Sequence, residues 1–394
     1  MQKDNHNSGA VMRSKWPRTL VYAFAFSYLL AEDGFGGCSS VIEEFDVFGD
    51  GDCLLVPVNI DDKIYTFLID TGATFVIFDE ALAGTLGQTV GSVAVQALEE
   101  EKEITLRRAP RNLSIGALPL KLNLPVACQE LTAVREATGD EVYGILGMDP
   151  LWDCTIQIDF DRGKLSFLTA VGSDIGERLD LHHGASGTPK IAAKSCLGTE
   201  YWTVDTGHVR PNGASVSSVD FLILSRRKSA KLLMPTLATS LSGGVTERNA
   251  LLGTLSFGNC EVGNLIASEH LYYDHNLLAL AFWSRFNITF DFPHSAMYLK
   301  KNRSFDRPDR VDLSGACFLR RRGKTIVDAV EKGSAADSAG MRSNDIVESI
   351  NGVDAGQMRL FALRRVCATP NKAIEMAITR NGTRSNIRLV LPGQ

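Results

Sequence analysis

Two blocks of this chain occur twice, and each second copy follows the first at almost the same distance. Tyr65-Thr66-Phe67-Leu68-Ile69-Asp70-Thr71-Gly72 returns as Tyr201-Trp202-Thr203-Val204-Asp205-Thr206-Gly207, with the aspartates 135 residues apart. Ile145 to Leu151 returns as Leu277 to Trp283, and Ile156 to Phe160 as Ile288 to Phe292, both at a spacing of 132. Paired blocks at nearly one spacing imply an internal duplication, which must be recognised before any single element is read. Between the blocks, short apolar runs such as Leu54 to Val58, Tyr65 to Ile69 and Phe75 to Phe78 alternate with Gly, Pro, Asn and Asp, and helical periodicity is scarce. That pattern predicts strands. The chain therefore reads as mainly β, with two similar lobes over residues 41–170 and 180–302. Gly172 to Lys190, rich in Gly and holding Pro189, reads as their connector.

The repeated tripeptide carries chemistry. An apolar strand buries the approach to the aspartate, and Gly lets the backbone turn closely beneath the carboxylate. The threonine hydroxyl can reach across to an opposing loop. Two such loops meeting about a twofold axis would bring two carboxylates together. Like charges about 3 Å apart cannot both ionise, so the pair holds one proton. One member can then take a proton from water while the other donates one to a carbonyl oxygen.

Phe67-Leu68-Ile69-Asp70-Thr71-Gly72-Ala73-Thr74 resembles the active-site motif of retropepsin-like and pepsin-like aspartic proteases. Ile145-Leu146-Gly147 resembles the segment that closes around the catalytic aspartate in that family. The resemblance implies a bilobal β-barrel unit with Asp70 and Asp205 catalytic. Thr71, Gly72, Ala73, Thr206, Gly207, Ile145, Leu146 and Gly147 would support the loops. It also implies a flap between Gly87 and Arg108, with Val93 to Val95 and Ile104 to Leu106 as its two strands. The second copy departs from the pattern: His208 replaces the usual small residue, Ala279 stands where Gly147 stands in the first lobe, and Val209-Arg210-Pro211-Asn212-Gly213 replaces an apolar strand. His208 reads as a structural or solvent-facing histidine.

A polar segment, Lys300 to Asp312, leads into a different module over 312–394. A Ser334-capped short helix ended by Gly340, a strand reaching Asn351-Gly352, a helix within Gln357 to Cys367, and a hairpin around Asn381-Gly382 are expected in it. With Gly315-Ala316-Cys317-Phe318 ahead of them, this order resembles the PDZ domains attached to bacterial proteases, an α+β fold. By that resemblance Gly315, Ala316, Cys317 and Phe318 would hold the carboxylate of an extended C-terminal peptide. The basic run Arg320 to Arg322 reads as a solvated turn.

Residues 1–38 read as a leader. Arg13, Lys15 and Arg18 precede an apolar run from Leu20 to Ala31, too short to span a bilayer and suited to an export signal. Phe35-Gly36-Gly37-Cys38 resembles a bacterial lipoprotein cleavage box, which implies lipidation at Cys38, a membrane anchor and an exported, cell-envelope or periplasmic location. The net charge of −5 gives no basic field for nucleic acid. The eight cysteines form no CxxC pair, and no Cys/His cluster has zinc spacing, so no metal and no cofactor is expected. The chain thus reads as an exported aspartic endopeptidase acting on polypeptides. Two alternatives stand beside it: a homodimer pairing Asp70 of two chains, and an inactive peptide-binding scaffold.

Overall fold

The structure, a computed structural model, describes residues 40–393 apart from 98–99, 241–242 and 272–273. The leader and Cys38 lie outside the described residues. The fold is mainly β, and three of the four sheets among the described residues reflect the duplication. The first lobe is built on a sheet running Thr89–Ala97, Glu100–Arg107, Val126–Gln129, Ile77–Asp79, Gly144–Leu146, Lys63–Ile69, Leu55–Ile60, Leu113–Ile115, Leu118–Pro119. The second runs Leu232–Ser240, Gly243–Phe257, Cys260–His270, Ala214–Ser217, Asn276–Leu278, Gly198–Val204, Pro189–Ser195, His182–His183. From the outer hairpin to the strand before each Asp-Thr-Gly, the two sheets have the same order. In both, the aspartate strand runs parallel to its downstream partner: Phe67 faces Gly144, and Trp202 faces Asn276.

A third sheet joins the lobes, in the order Val41–Asp46, Lys164–Leu168, Thr155–Asp159, Phe286–Asp291, Ala296–Lys301, Glu177–Asp180. Its central strands are the repeated Ile156 and Ile288 blocks, and they pair antiparallel with each other. The apolar alternation that marks them as strands also fills the core. Phe67 and Trp202, at equivalent repeat positions, are fully buried, as are Phe78, Phe160, Phe290 and Trp283. Each such burial stabilises the fold by roughly 1.5–3 kcal/mol. One apolar cluster runs continuously through both lobes.

Three expectations change. Gly172 to Lys190 is not a bare connector: it holds Glu177–Asp180, His182–His183 and the start of Pro189–Ser195. The second lobe does have a strand after its aspartate loop, Ala214–Ser217, buried throughout. Ile77 pairs with Ile145, and Ser215 with the repeat-equivalent Leu277. Ile77 and Ser215 are thus 138 apart while the aspartates are 135 apart, so this loop is three residues longer in the second lobe. A shifted strand of alternating Ala, Ser and Val carries little apolar signal. Arg320 and Arg321 belong to a strand, Ala316–Arg321, and are half-buried.

The C-terminal module has its own apolar core, including Phe318, Val347, Leu363 and Ile374. Its sheet runs Ala316–Arg321, Lys324–Val330, Ile346–Ile350, Ala373–Arg380, Thr383–Val390. Asn381 and Gly382 both take positive φ, 49° and 78°, as a two-residue hairpin turn requires. Ile266 of the second lobe enters this core and Leu233 packs against it, so the module is not freely tethered.

Candidate active site

The two Asp-Thr-Gly loops meet. Each aspartate follows a strand whose parallel neighbour fixes its main chain: Asp70 N–H donates to Leu146 O at 3.0 Å, and Asp205 N–H to Leu278 O at 3.1 Å. The threonines then lock the loops reciprocally. Thr71 N–H donates to Thr206 Oγ1 and Thr206 N–H to Thr71 Oγ1, both at 3.0 Å. Thr71 Oγ1 donates to Val204 O at 2.5 Å, and Thr206 Oγ1 to Ile69 O at 3.0 Å. Both threonines are buried. Four buried main-chain groups are thereby satisfied across the lobe boundary, each of which would otherwise cost about 1–3 kcal/mol.

This lock sets each carboxyl against the glycine of the opposite loop. A Cβ on Gly72 would lie 2.5 Å from Asp205 Cγ, and one on Gly207 would lie 2.2 Å from Asp70 Cγ. Any side chain there would displace the carboxyls, which accounts for both glycines. Gly72 N–H donates to Asp70 Oδ1 at 2.8 Å; Gly207 and His208 N–H donate to Asp205 Oδ1 at 3.0 and 2.9 Å. Burial raises the Asp70 carboxyl above the ordinary aspartate range, with the Gly72 and Ala73 N–H groups acting the other way. Burial and then the charge of Asp70 push Asp205 well above it. The two titrate together, and the arrangement favours one shared proton.

The departures in the second copy are absorbed locally. Met148 N–H donates to Ala73 O at 2.8 Å, and the equivalent Leu280 N–H donates to His208 O at 3.1 Å, so the strap across each loop is kept. Ile145 and Leu146 are buried in the strand beside Asp70. A Cβ on Gly147 would strike Phe75 O at 2.2 Å, whereas the equivalent Ala279 is accommodated fully buried. His208 Nε2 lies 3.0 Å from Ser215 Oγ on the strand behind, and burial lowers its pKa well below the usual range. That burial favours the neutral form of the ring.

Sequence reasoning missed what braces this loop from outside. Arg210 pairs with Glu247. Asp309, from the polar segment after the second lobe, accepts from Gly213 N–H at 3.1 Å and Ile266 N–H at 2.9 Å, and pairs with Arg285 at 2.7 Å. Both side chains of that last pair are buried. A charged residue in a charged linker gives no sequence signal of this role. The expected flap region forms a hairpin, Thr89–Ala97 with Glu100–Arg107. The second lobe has an equivalent hairpin, Leu232–Ser240 with Gly243–Phe257, which was not anticipated.

Gly315 takes φ of +68°, and a Cβ on it would lie 2.2 Å from Ser334 Cβ, so the loop packs tightly on the start of the short helix. Ala316, Cys317 and Phe318 are buried.

Residues 56–149 match the aspartyl protease family model, and residues 326–380 match the PDZ domain model. No curated protein matches the chain. Among solved structures, it is similar to an aspartic proteinase from Irpex lacteus, at 13% identity over 69% of this chain and 100% of that one, with a TM-score of 0.44. The chain carries an aspartyl protease family domain in its first lobe and a PDZ domain at its C-terminal end.

Proposed function

We propose that the chain is an aspartic endopeptidase that hydrolyses peptide bonds with a water activated between Asp70 and Asp205 of the same molecule. The observation that carries this reading is the reciprocal Thr71–Thr206 lock, which holds each carboxyl against the opposite glycine. With one proton on the pair, the ionised carboxylate takes a proton from water as it attacks the scissile carbonyl. The protonated carboxyl donates to the carbonyl oxygen. The tetrahedral gem-diol then collapses: the C–N bond breaks as the carboxyl that took the water proton gives it to the leaving amine nitrogen. The other carboxylate recovers a hydroxyl proton, and no covalent enzyme intermediate forms. Digestion of a peptide library by the intact chain tests this. Cleavage should vanish in Asp70→Asn, survive chelators, and stop with a statine-type compound whose hydroxyl takes the place of the water. Undiminished cleavage by Asp70→Asn would overturn it.

Pairing of two first lobes from two chains is disfavoured by one observation: Thr71 already has its partner within the chain. The PDZ domain, in this reading, holds the free carboxylate ends of polypeptide substrates or partners. We also propose export with lipidation at Cys38, from the leader residues alone; intact-mass analysis of the mature protein tests it, and an unmodified Met1 terminus would refute it.

A further inference from the structure

Peptides join PDZ domains by adding a strand to a sheet edge beside a helix, with main-chain groups of that edge left open to receive them. Here the edge is Ala316–Arg321, which among the described residues pairs only with Lys324–Val330, and the helix is Leu360–Cys367. The space between them is not open. Helix Thr132–Thr138 of the first lobe, here α1, packs against both.

The contacts are specific. Arg364, on the PDZ helix, donates through Nη2 to Phe318 O on the edge strand at 3.1 Å and to Ala137 O in the last turn of α1 at 2.9 Å. A carbonyl that strand addition would use is thus already taken, and the same guanidinium holds the carbonyl end of α1. Arg321 at the end of the edge strand pairs with Glu136 at 2.8 Å, and Arg359 pairs with Asp140 just past α1 at 2.7 Å. Gly139, the αL residue that ends α1, would place a Cβ 3.5 Å from both Arg320 Cβ and Leu360 Cδ1.

We infer that the strand-adding groove of the PDZ domain is a docking surface for α1 of its own chain, so that a peptide with a free carboxylate enters only by displacing that helix. The chemistry suits exchange. The seat is made largely of part-buried ion pairs, their side chains 22–38% exposed, and of hydrogen bonds to carbonyls, with Arg359 also reaching buried Asp52; so polar a seat resembles a transient interface more than an apolar core. The helix end presents carbonyl oxygens and carboxylates to arginines, as a peptide C-terminus would. The inference concerns the peptide-binding reading of the PDZ domain, and its test is independent of whether the aspartate pair cleaves anything.

The test uses the full chain with a pool of C-terminally free heptapeptides and the same pool amidated, read by binding and by hydrogen exchange in residues 132–138. In the wild type, the free pool should bind weakly, with faster exchange in α1 as it binds. Glu136→Arg, which sets like charges against Arg321, should bind the free pool about tenfold more tightly than the wild type, with no such gain for the amidated pool. Arg321 also pairs with Asp328 at 2.8 Å, so adding Arg321→Glu together with Asp328→Arg restores opposite charges at both contacts and should return binding to the wild-type value. Wild-type binding without any change in α1 exchange, or a Glu136→Arg chain that binds no better than wild type, would overturn the inference.

Discussion

Gln157 and Thr289 occupy the same position in the two sequence repeats, 132 residues apart, and they are hydrogen-bonded to each other, Nε2 to Oγ1 at 3.1 Å. Equivalent residues that pair lie on the axis relating the copies. The twofold therefore passes between these two strands within one molecule, and the Thr71–Thr206 lock obeys the same symmetry. Both repeats of one chain contribute strands to the sheet that joins the lobes.

The lock should be equally sensitive from both sides. Thr206→Val removes the acceptor of Thr71 N–H and the donor to Ile69 O; Thr71→Val does the same to Thr206 N–H and Val204 O. Each should lower unfolding free energy by about 2–4 kcal/mol, because buried main-chain groups lose partners. Thr→Ser at either site should restore most of it. Denaturant midpoints check this, and tolerance of valine at one site alone would contradict a reciprocal lock.

The carboxyl pair should make stability depend on pH in a known direction. Both carboxyls are raised by burial, Asp205 also by Asp70. A carboxyl with a higher pKa folded than unfolded contributes stability fully below its unfolded value of about 4, and loses it as pH rises through the folded value. Asp205→Asn keeps an oxygen acceptor for Gly207 and His208 and carries no charge. Its melting temperature should exceed that of the wild type at neutral pH, with the gap closing toward pH 4. A gap independent of pH would count against a coupled pair.

Asp309 should matter to both stability and catalysis although it lies beyond the second lobe. Asp309→Ala strands buried Arg285 and frees the N–H groups of Gly213 and Ile266. Removing one partner of a buried pair costs about 3–5 kcal/mol. Gly213 precedes the strand behind the Asp205 loop, so kcat should fall more than KM rises. A purely destabilised variant with unchanged kcat would show that the brace does not reach the aspartate.

The duplication, both aspartates and the first hairpin were legible because they rest on local apolar patterning and a short motif whose glycines are fixed by close approach. The strand Ala214–Ser217 was not, since the loop before it gained three residues and its side chains are small. The docking of the PDZ domain was hidden for another reason. Arg321 sits in a run that reads as a solvated turn, and nothing in the sequence marks Arg359, Arg364 or Glu136; only the fold shows that each faces a partner far along the chain. The bracing role of Asp309 was hidden in the same way.

If one chain supplies both carboxylates, neither single-aspartate variant can be rescued by the other. Asp70→Asn and Asp205→Asn protein, alone and mixed at equal concentrations, are assayed for peptide cleavage across a hundredfold range of total protein. Each variant alone and the mixture should be inactive at every concentration, while wild-type activity per molecule stays constant on dilution. Cleavage by Asp205→Asn alone that rises with concentration would mean that Asp70 of two chains forms the pair, and recovery only in the mixture would mean that Asp70 of one chain pairs with Asp205 of another.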